Sequence, residues 1–156
     1  MNTAQHISDF IVFRLTLDAG HDLNLLKLQK LLYYSQAWHL AFTGEQLFKE
    51  DFQAWIHGPV NREVYDFYKE SKTMYSLIYN GEVKDTEIAS KLDINVITHV
   101  NNILETYSPF SATELEIMTH NEDPWIVARK GYEPHERCAE IIDPQLMMSY
   151  YRARLV

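Results

Sequence analysis

The stretch that most constrains this chain runs from Leu23 to Val64, and its first half carries a helical pattern. Leu25, Leu28, Leu32, Ser35 and His39 recur at helical spacing, and Leu31, Ala37, Trp38 and Phe42 widen the stripe around much of the circumference. A helix that is apolar on so many sides must be covered by several other elements. Asp22 or Asn24 is placed to cap its start, and Gly44 to close its end in a left-handed conformation.

The segments on either side supply that cover. Ile7, Phe10, Ile11, Arg14 and Leu15 predict a first helix from about Thr3 to Asp18, ended by Ala19-Gly20. Phe52 to Ile56 is short and aromatic-rich and reads as a strand, with Leu47 to Lys49 as its pairing partner or a flanking turn. Pro59 suits the first turn of a third helix reaching about Lys69, with Val60, Val64, Phe67 and Tyr68 inward. Glu82 to Ala89 is ambiguous. Val96, Val100, Ile103, Leu104 and Tyr107 mark a fourth helix, capped by Asp93 or Asn95 and stopped by Ser108-Pro109. Ser111 and Glu114 form a capping box for a fifth helix ending near His120. Asp123-Pro124 opens a short sixth that Gly131 ends. Asp143-Pro144 opens the last, with Leu146, Met147, Tyr150, Tyr151 and Leu155 apolar. The expected fold is mainly α: a compact bundle of about six or seven helices around a central buried helix, with a small β-hairpin. At 156 residues, one domain over 1–156 is expected.

Several blocks in this order carry a resemblance. Lys27-Leu28-Gln29-Lys30-Leu31-Leu32-Tyr33-Tyr34, Ala54-Trp55, Gly58-Pro59-Val60 and Thr119-His120-Asn121-Glu122 with Pro124-Trp125 resemble the Panacea domain, a SocA-like, GepA-related and phage-associated antitoxin domain. The resemblance implies a helical domain that neutralises a cognate protein toxin by direct binding. It also admits a proteolytic adaptor that delivers the toxin to an ATP-dependent protease, or a phage or mobile-element interaction protein. Within it, Leu28, Leu31, Leu32, Trp38, Trp55, Gly58, Pro59, Val60, His120 and Pro124 are structural positions. The chain departs from the family pattern at Gln53, at Asn61-Arg62 and at Tyr107-Ser108-Pro109, positions that bear on partner specificity.

Composition narrows the chemistry. A net charge of −8 argues against direct nucleic-acid binding, where Lys and Arg must displace counterions. One cysteine, Cys138, fits a reducing cytoplasm, and no segment has the apolar length to span a membrane. The seven histidines are dispersed, and the zincin-like start His135-Glu136 has Ala139 where the second His belongs. Cys138 beside Arg137 lacks a local base. No phosphate-binding glycine loop is present. The residues therefore point to no enzyme, no cofactor and no metal; a hydrolase using His120 or His57 is the least supported reading.

The candidate partner-binding residues are Lys27, Lys30, Tyr65, Tyr68, Tyr75 and Trp125. Lys27 and Lys30 are read as surface residues, meeting an acidic toxin or solvating a helix flank. Tyr65, Tyr68, Tyr75 and Tyr79 are a candidate aromatic patch, which if exposed also allows a homodimer. Trp38 and Trp55 are assigned to the core and Trp125 to the interface. His120 is placed against a helix C-terminus, with Glu122 just before the next helix start.

Overall fold

A computed structural model describes residues 1–155. Among them are seven α-helices and one two-stranded hairpin. Helix α1 (Ala4–Leu15) precedes α2 (Leu25–Thr43), the hairpin β1 (Phe52–Trp55) and β2 (Gly58–Asn61), and α3 (Arg62–Tyr68). A long loop with a 3-10 turn at Ile88–Ser90 leads to α4 (Ile94–Tyr107), α5 (Ala112–His120), α6 (Asp123–Ala128) and α7 (Pro144–Arg152).

Helix α2 is the axis. Fifteen of its 19 residues are buried, against α7, α5, β2, α1, α4 and α3, so the helix has almost no solvent face. Asn24 caps it through its side chain on the Lys27 amide, and Gly44 closes it at φ 77°. The Ser111–Glu114 capping box forms, and Pro124 and Pro144 sit in the first turns of α6 and α7. Helix α1 stops at Leu15, short of Asp18, and starts with a capping box between Thr3 and His6.

The hairpin differs from expectation. Leu47 to Lys49 does not pair with β1; Phe48 makes a single bridge to Asn2. The partner is Gly58–Asn61, joined by a turn at Ile56-His57. Pro59 therefore lies in a strand, and α3 begins three residues later with Asn61 as its cap. Both settings accept the fixed proline φ. The strand is possible because Pro59 faces Ala54, whose N–H points away from β2 to the Glu140 carbonyl at 2.9 Å. Opposed residues in such a pair direct their N–H groups outward, so the missing proline N–H leaves no gap in the ladder. Phe67, expected inward, is exposed on the shorter helix.

Two buried glutamines of α2 hold extended chain against it. Gln29 accepts from the Asn61 amide at 2.8 Å and donates to the Asn61 carbonyl at 3.1 Å, so its amide acts as the next strand along β2. Gln36, two turns on, does the same for 47–48, accepting from the Leu47 amide at 2.7 Å and donating to the Phe48 carbonyl at 2.6 Å. Truncation strands two buried backbone groups at once. Gln29→Ala is expected to cost about 2–6 kcal/mol in urea denaturation, since each of the two orphaned buried groups costs about 1–3 kcal/mol; a loss under about 0.5 kcal/mol would mean that water replaces the amide.

The ambiguous 82–89 segment is irregular and tied down by α1. The buried Asp9 carboxylate accepts from the Lys84 and Asp85 amides at 3.2 and 2.9 Å. Burial pushes that carboxyl up, and the hydrogen bonds oppose it.

Candidate functional site

Strand alternation gives the hairpin two unlike faces. Phe52 and Ala54 are buried, whereas Gln53 and Trp55 are half-exposed. Residues 140–142 run along the free edge of β1, with the Ile142 amide donating to the Phe52 carbonyl at 2.8 Å. The buried Arg129 guanidinium clamps that layer. It donates to the carbonyls of Ala54 (2.9 Å), Glu133 (2.9 Å) and Glu136 (2.6 Å), and lies 5.2 Å from the Trp125 ring centre.

An open groove of about 620 Å³ lies on the half-exposed face. Gln53, Trp55 and His57 of the hairpin, Arg62 and Tyr65 of α3, Met74, and Arg137 and Cys138 are among the residues that line it. Trp55 meets Tyr65 edge-on at 4.8 Å and fixes its indole N–H on the Gln53 side chain at 2.8 Å. Arg62 sits 5.9 Å from the Trp55 ring centre.

Lys30 lies against β2 from the interior. Its side chain is fully buried and donates to the Pro59 carbonyl at 2.9 Å. Burial pushes the ammonium down to about 7, against the opposing pull of the Glu116 carboxylate. Gly58 makes this approach possible: a Cβ there would stand 2.7 Å from Lys30 Cε and 2.8 Å from Thr119 Oγ1.

The Thr119 to Trp125 block wraps the same hairpin. The Thr119 hydroxyl donates to the Glu116 carbonyl at 2.8 Å, and Glu116 contacts His57 Nδ1 at 3.3 Å. His120 stacks on Trp125 at 4.1 Å, and its Nε2 is buried without a hydrogen-bond partner. Burial lowers its pKa, which keeps the imidazole neutral at pH 7. The Trp125 indole donates to the Trp55 carbonyl at 2.8 Å.

Glu122 serves the core rather than a helix start alone. Its carboxylate accepts from Tyr34 at 2.8 Å and Tyr151 at 2.7 Å, which leaves the Tyr151 hydroxyl to accept from that of Tyr33 at 3.1 Å. Tyr107 stacks on Tyr34 at 4.1 Å and accepts the Trp38 indole N–H at 2.7 Å. Burial raises the Glu122 carboxyl and, with its charge nearby, holds the four tyrosines protonated. These four tyrosines thus find partners within the core.

The candidate residues separate accordingly. Lys27 and Lys30 are not on the surface, in either sense expected. Lys27 is buried, ion-paired to Asp22 at 2.8 Å and donating to the Ser108 carbonyl at 2.7 Å. Tyr68 is also buried and donates to the Glu82 carbonyl at 2.6 Å. Tyr65 walls the groove, while Tyr75 is exposed, edge-on to His57 at 6.1 Å. Trp38 and Trp55 are only partly buried, and half-buried Trp125 secures the hairpin. Gln53 and Arg62, noted only as departures from a pattern, line the groove. Arg137 joins them by folding alone. Among the described residues no three His, Cys, Asp or Glu side chains converge as a metal-binding group, although His39 and His99 come within 5.2 Å, ring to ring. No described helix is long and apolar enough to cross a membrane.

Comparison with known proteins gives this geometry a family. The family described as "Antitoxin SocA-like, Panacea domain" matches residues 28–126, from α2 to α6. The hairpin and α3 sides of the groove lie inside that stretch; the 137–139 wall lies beyond it. Antitoxin SocA of Caulobacter vibrioides (strain NA1000 / CB15N) is 30% identical over 140 residues, covering 81% of this chain and 73% of the relative. No solved structure matches. The family match takes in the helix that everything else covers, the hairpin against it and the block that wraps the hairpin, and the chain belongs to the SocA-like antitoxin family with a Panacea domain.

Proposed function

We propose that this chain is a cytoplasmic antitoxin that neutralises a cognate protein toxin by direct binding, acting as one domain and without catalysis. Family membership carries the reading. The geometry is compatible with it: Lys30 and Thr119 are committed to backbone carbonyls, and the open concavity carries Trp55 and Tyr65 beside Arg62 and Arg137. Such a mixture suits a protein segment, because aromatic and arginine side chains dominate protein-binding hot spots.

Co-expression with the product of the adjacent gene is the test. The neighbour alone should arrest growth; this chain should restore it, and the two should co-purify as a stable complex. A harmless neighbour with no complex overturns the proposal. Toxin half-life distinguishes the mode. An unchanged half-life means masking, whereas a shortened one means delivery to an ATP-dependent protease. Full rescue by His57→Ala and His120→Ala is expected; loss of rescue by a folded, toxin-binding variant would favour the hydrolytic reading.

A further inference from the structure

We propose that the groove beside the hairpin receives an extended, acidic segment of the partner, its carboxylates held by Arg62 and Arg137 and an apolar side chain seated against Trp55. The proposal rests on the antitoxin reading and specifies where and how the toxin is held.

Charge is the first support. The chain has 22 Asp and Glu against 14 Lys and Arg, yet among the described residues no Asp or Glu lines the groove. Arg62 and Arg137 do. An acidic protein repels an acidic partner everywhere except at a local patch of opposite sign, and such a patch fixes docking register as well as raising the encounter rate.

The state of the two arginines is the second. Arg62 is half exposed, and its ion pair with Asp66 is long, at 3.5 Å, and about as exposed. Such a solvent-exposed pair contributes little, so exchange for an incoming carboxylate costs little. Arg137 is exposed and has no side-chain hydrogen bond or ion pair among the described residues. A guanidinium presents a planar fork that matches a carboxylate in bidentate fashion.

Shape is the third. The floor follows β1, four residues long or about 13 Å at the usual strand rise. That length suits a short extended segment. Trp55, Tyr65 and Met74 supply an apolar patch beside the charged rim, the arrangement of an anchor pocket in a peptide-binding surface.

The test uses the full chain, its purified complex with the adjacent gene product, and short overlapping peptides tiled across that product. Acidic windows containing an apolar residue should bind the wild-type chain, more weakly as salt is raised. The Arg62→Glu, Arg137→Glu double variant should lose roughly tenfold or more in affinity for both peptide and toxin. Peptides with the acidic residues changed to Lys should recover binding to the double variant and lose it to the wild type. Both arginines are exposed, and Arg62 begins α3, where Glu favours the helix dipole; an unchanged melting curve verifies folding, and the Arg62→Gln, Arg137→Gln pair serves if it is not retained. A complex that forms equally well with the folded variant, or windows that bind without carboxylates, overturns the groove assignment and leaves the antitoxin reading standing. Absence of any complex with a toxic neighbour overturns both.

Discussion

Replacing Gly58 with alanine is expected to cost about 3 kcal/mol of stability. Two effects combine. Gly58 sits at φ +96°, a backbone conformation that costs an L-residue about 1–2 kcal/mol. The new methyl would also stand 2.7 Å from Lys30 Cε and 2.8 Å from Thr119 Oγ1, and overpacking of this kind costs about 1–3 kcal/mol. Neither neighbour yields easily: Lys30 is tied to the Pro59 carbonyl and Thr119 to that of Glu116. For a chain of this size the melting temperature should fall by roughly 6–12 °C. Circular dichroism melts of Gly58→Ala beside Gly81→Ala separate the two effects. Gly81 has φ +88°, but a methyl added there would meet no atom within 4 Å, so its variant carries the backbone cost alone. Equal losses at the two sites would show that the hairpin shifts freely away from Lys30.

Stability is also expected to rise with pH through the mildly alkaline range, and Lys30→Met should abolish that rise. The folded chain holds Lys30 at about 7, while the unfolded chain holds it near 10.5. Between these values the unfolded state binds a proton that the folded state has released. Raising pH therefore favours folding, by up to about 1.4 kcal/mol per unit. From pH 7 to 9 the gain should be about 2 kcal/mol. Below pH 7 both states are charged and the full burial penalty remains. The buried tyrosines set the upper limit. Tyr33, Tyr34, Tyr68, Tyr107 and Tyr151 are all raised above 10, so ionisation of their unfolded counterparts near pH 10 drains stability again. The optimum should fall at about pH 9–10. Asp9 and Glu122 are raised too, but from starting values near 4, so they act on the acid side. Lys30→Met removes the titrating group at the cost of the Pro59 carbonyl's donor, about 1–2 kcal/mol. Its urea-derived stability should be nearly level from pH 7 to 9; a wild-type chain that is equally level would mean that water reaches the amine.

Lys30 also shows how far the sequence could be read. Its place on a helix was plain, and charge on a helix surface is the ordinary arrangement. What displaced it was the coverage of α2 on every side. The wide apolar stripe already implied that coverage, but a stripe does not say which of the polar residues between its members will be enclosed. Gln29, Gln36 and Lys27 share that fate. Each is buried with a backbone carbonyl or amide 11 to 81 residues away. Pro59 is ambiguous for a different reason: a fixed φ near −65° serves a helix start and a strand alike, and only its pairing with β1 opposite Ala54 decides between them.

By itself the sequence determined the central helix, its Gly44 end, a cap at Asp22 or Asn24, the Ser111 capping box and the proline starts of α6 and α7. These depend on side-chain period and on groups within four residues, interactions written directly in local order. Only the tertiary structure decided that Glu122 would collect the tyrosines, that Lys30 would lie beneath Gly58, and that Arg62 and Arg137 would face one groove. Such pairings join segments far apart in the chain, and burial together with the demand that each enclosed polar group find a partner selects among them only once the layers have packed.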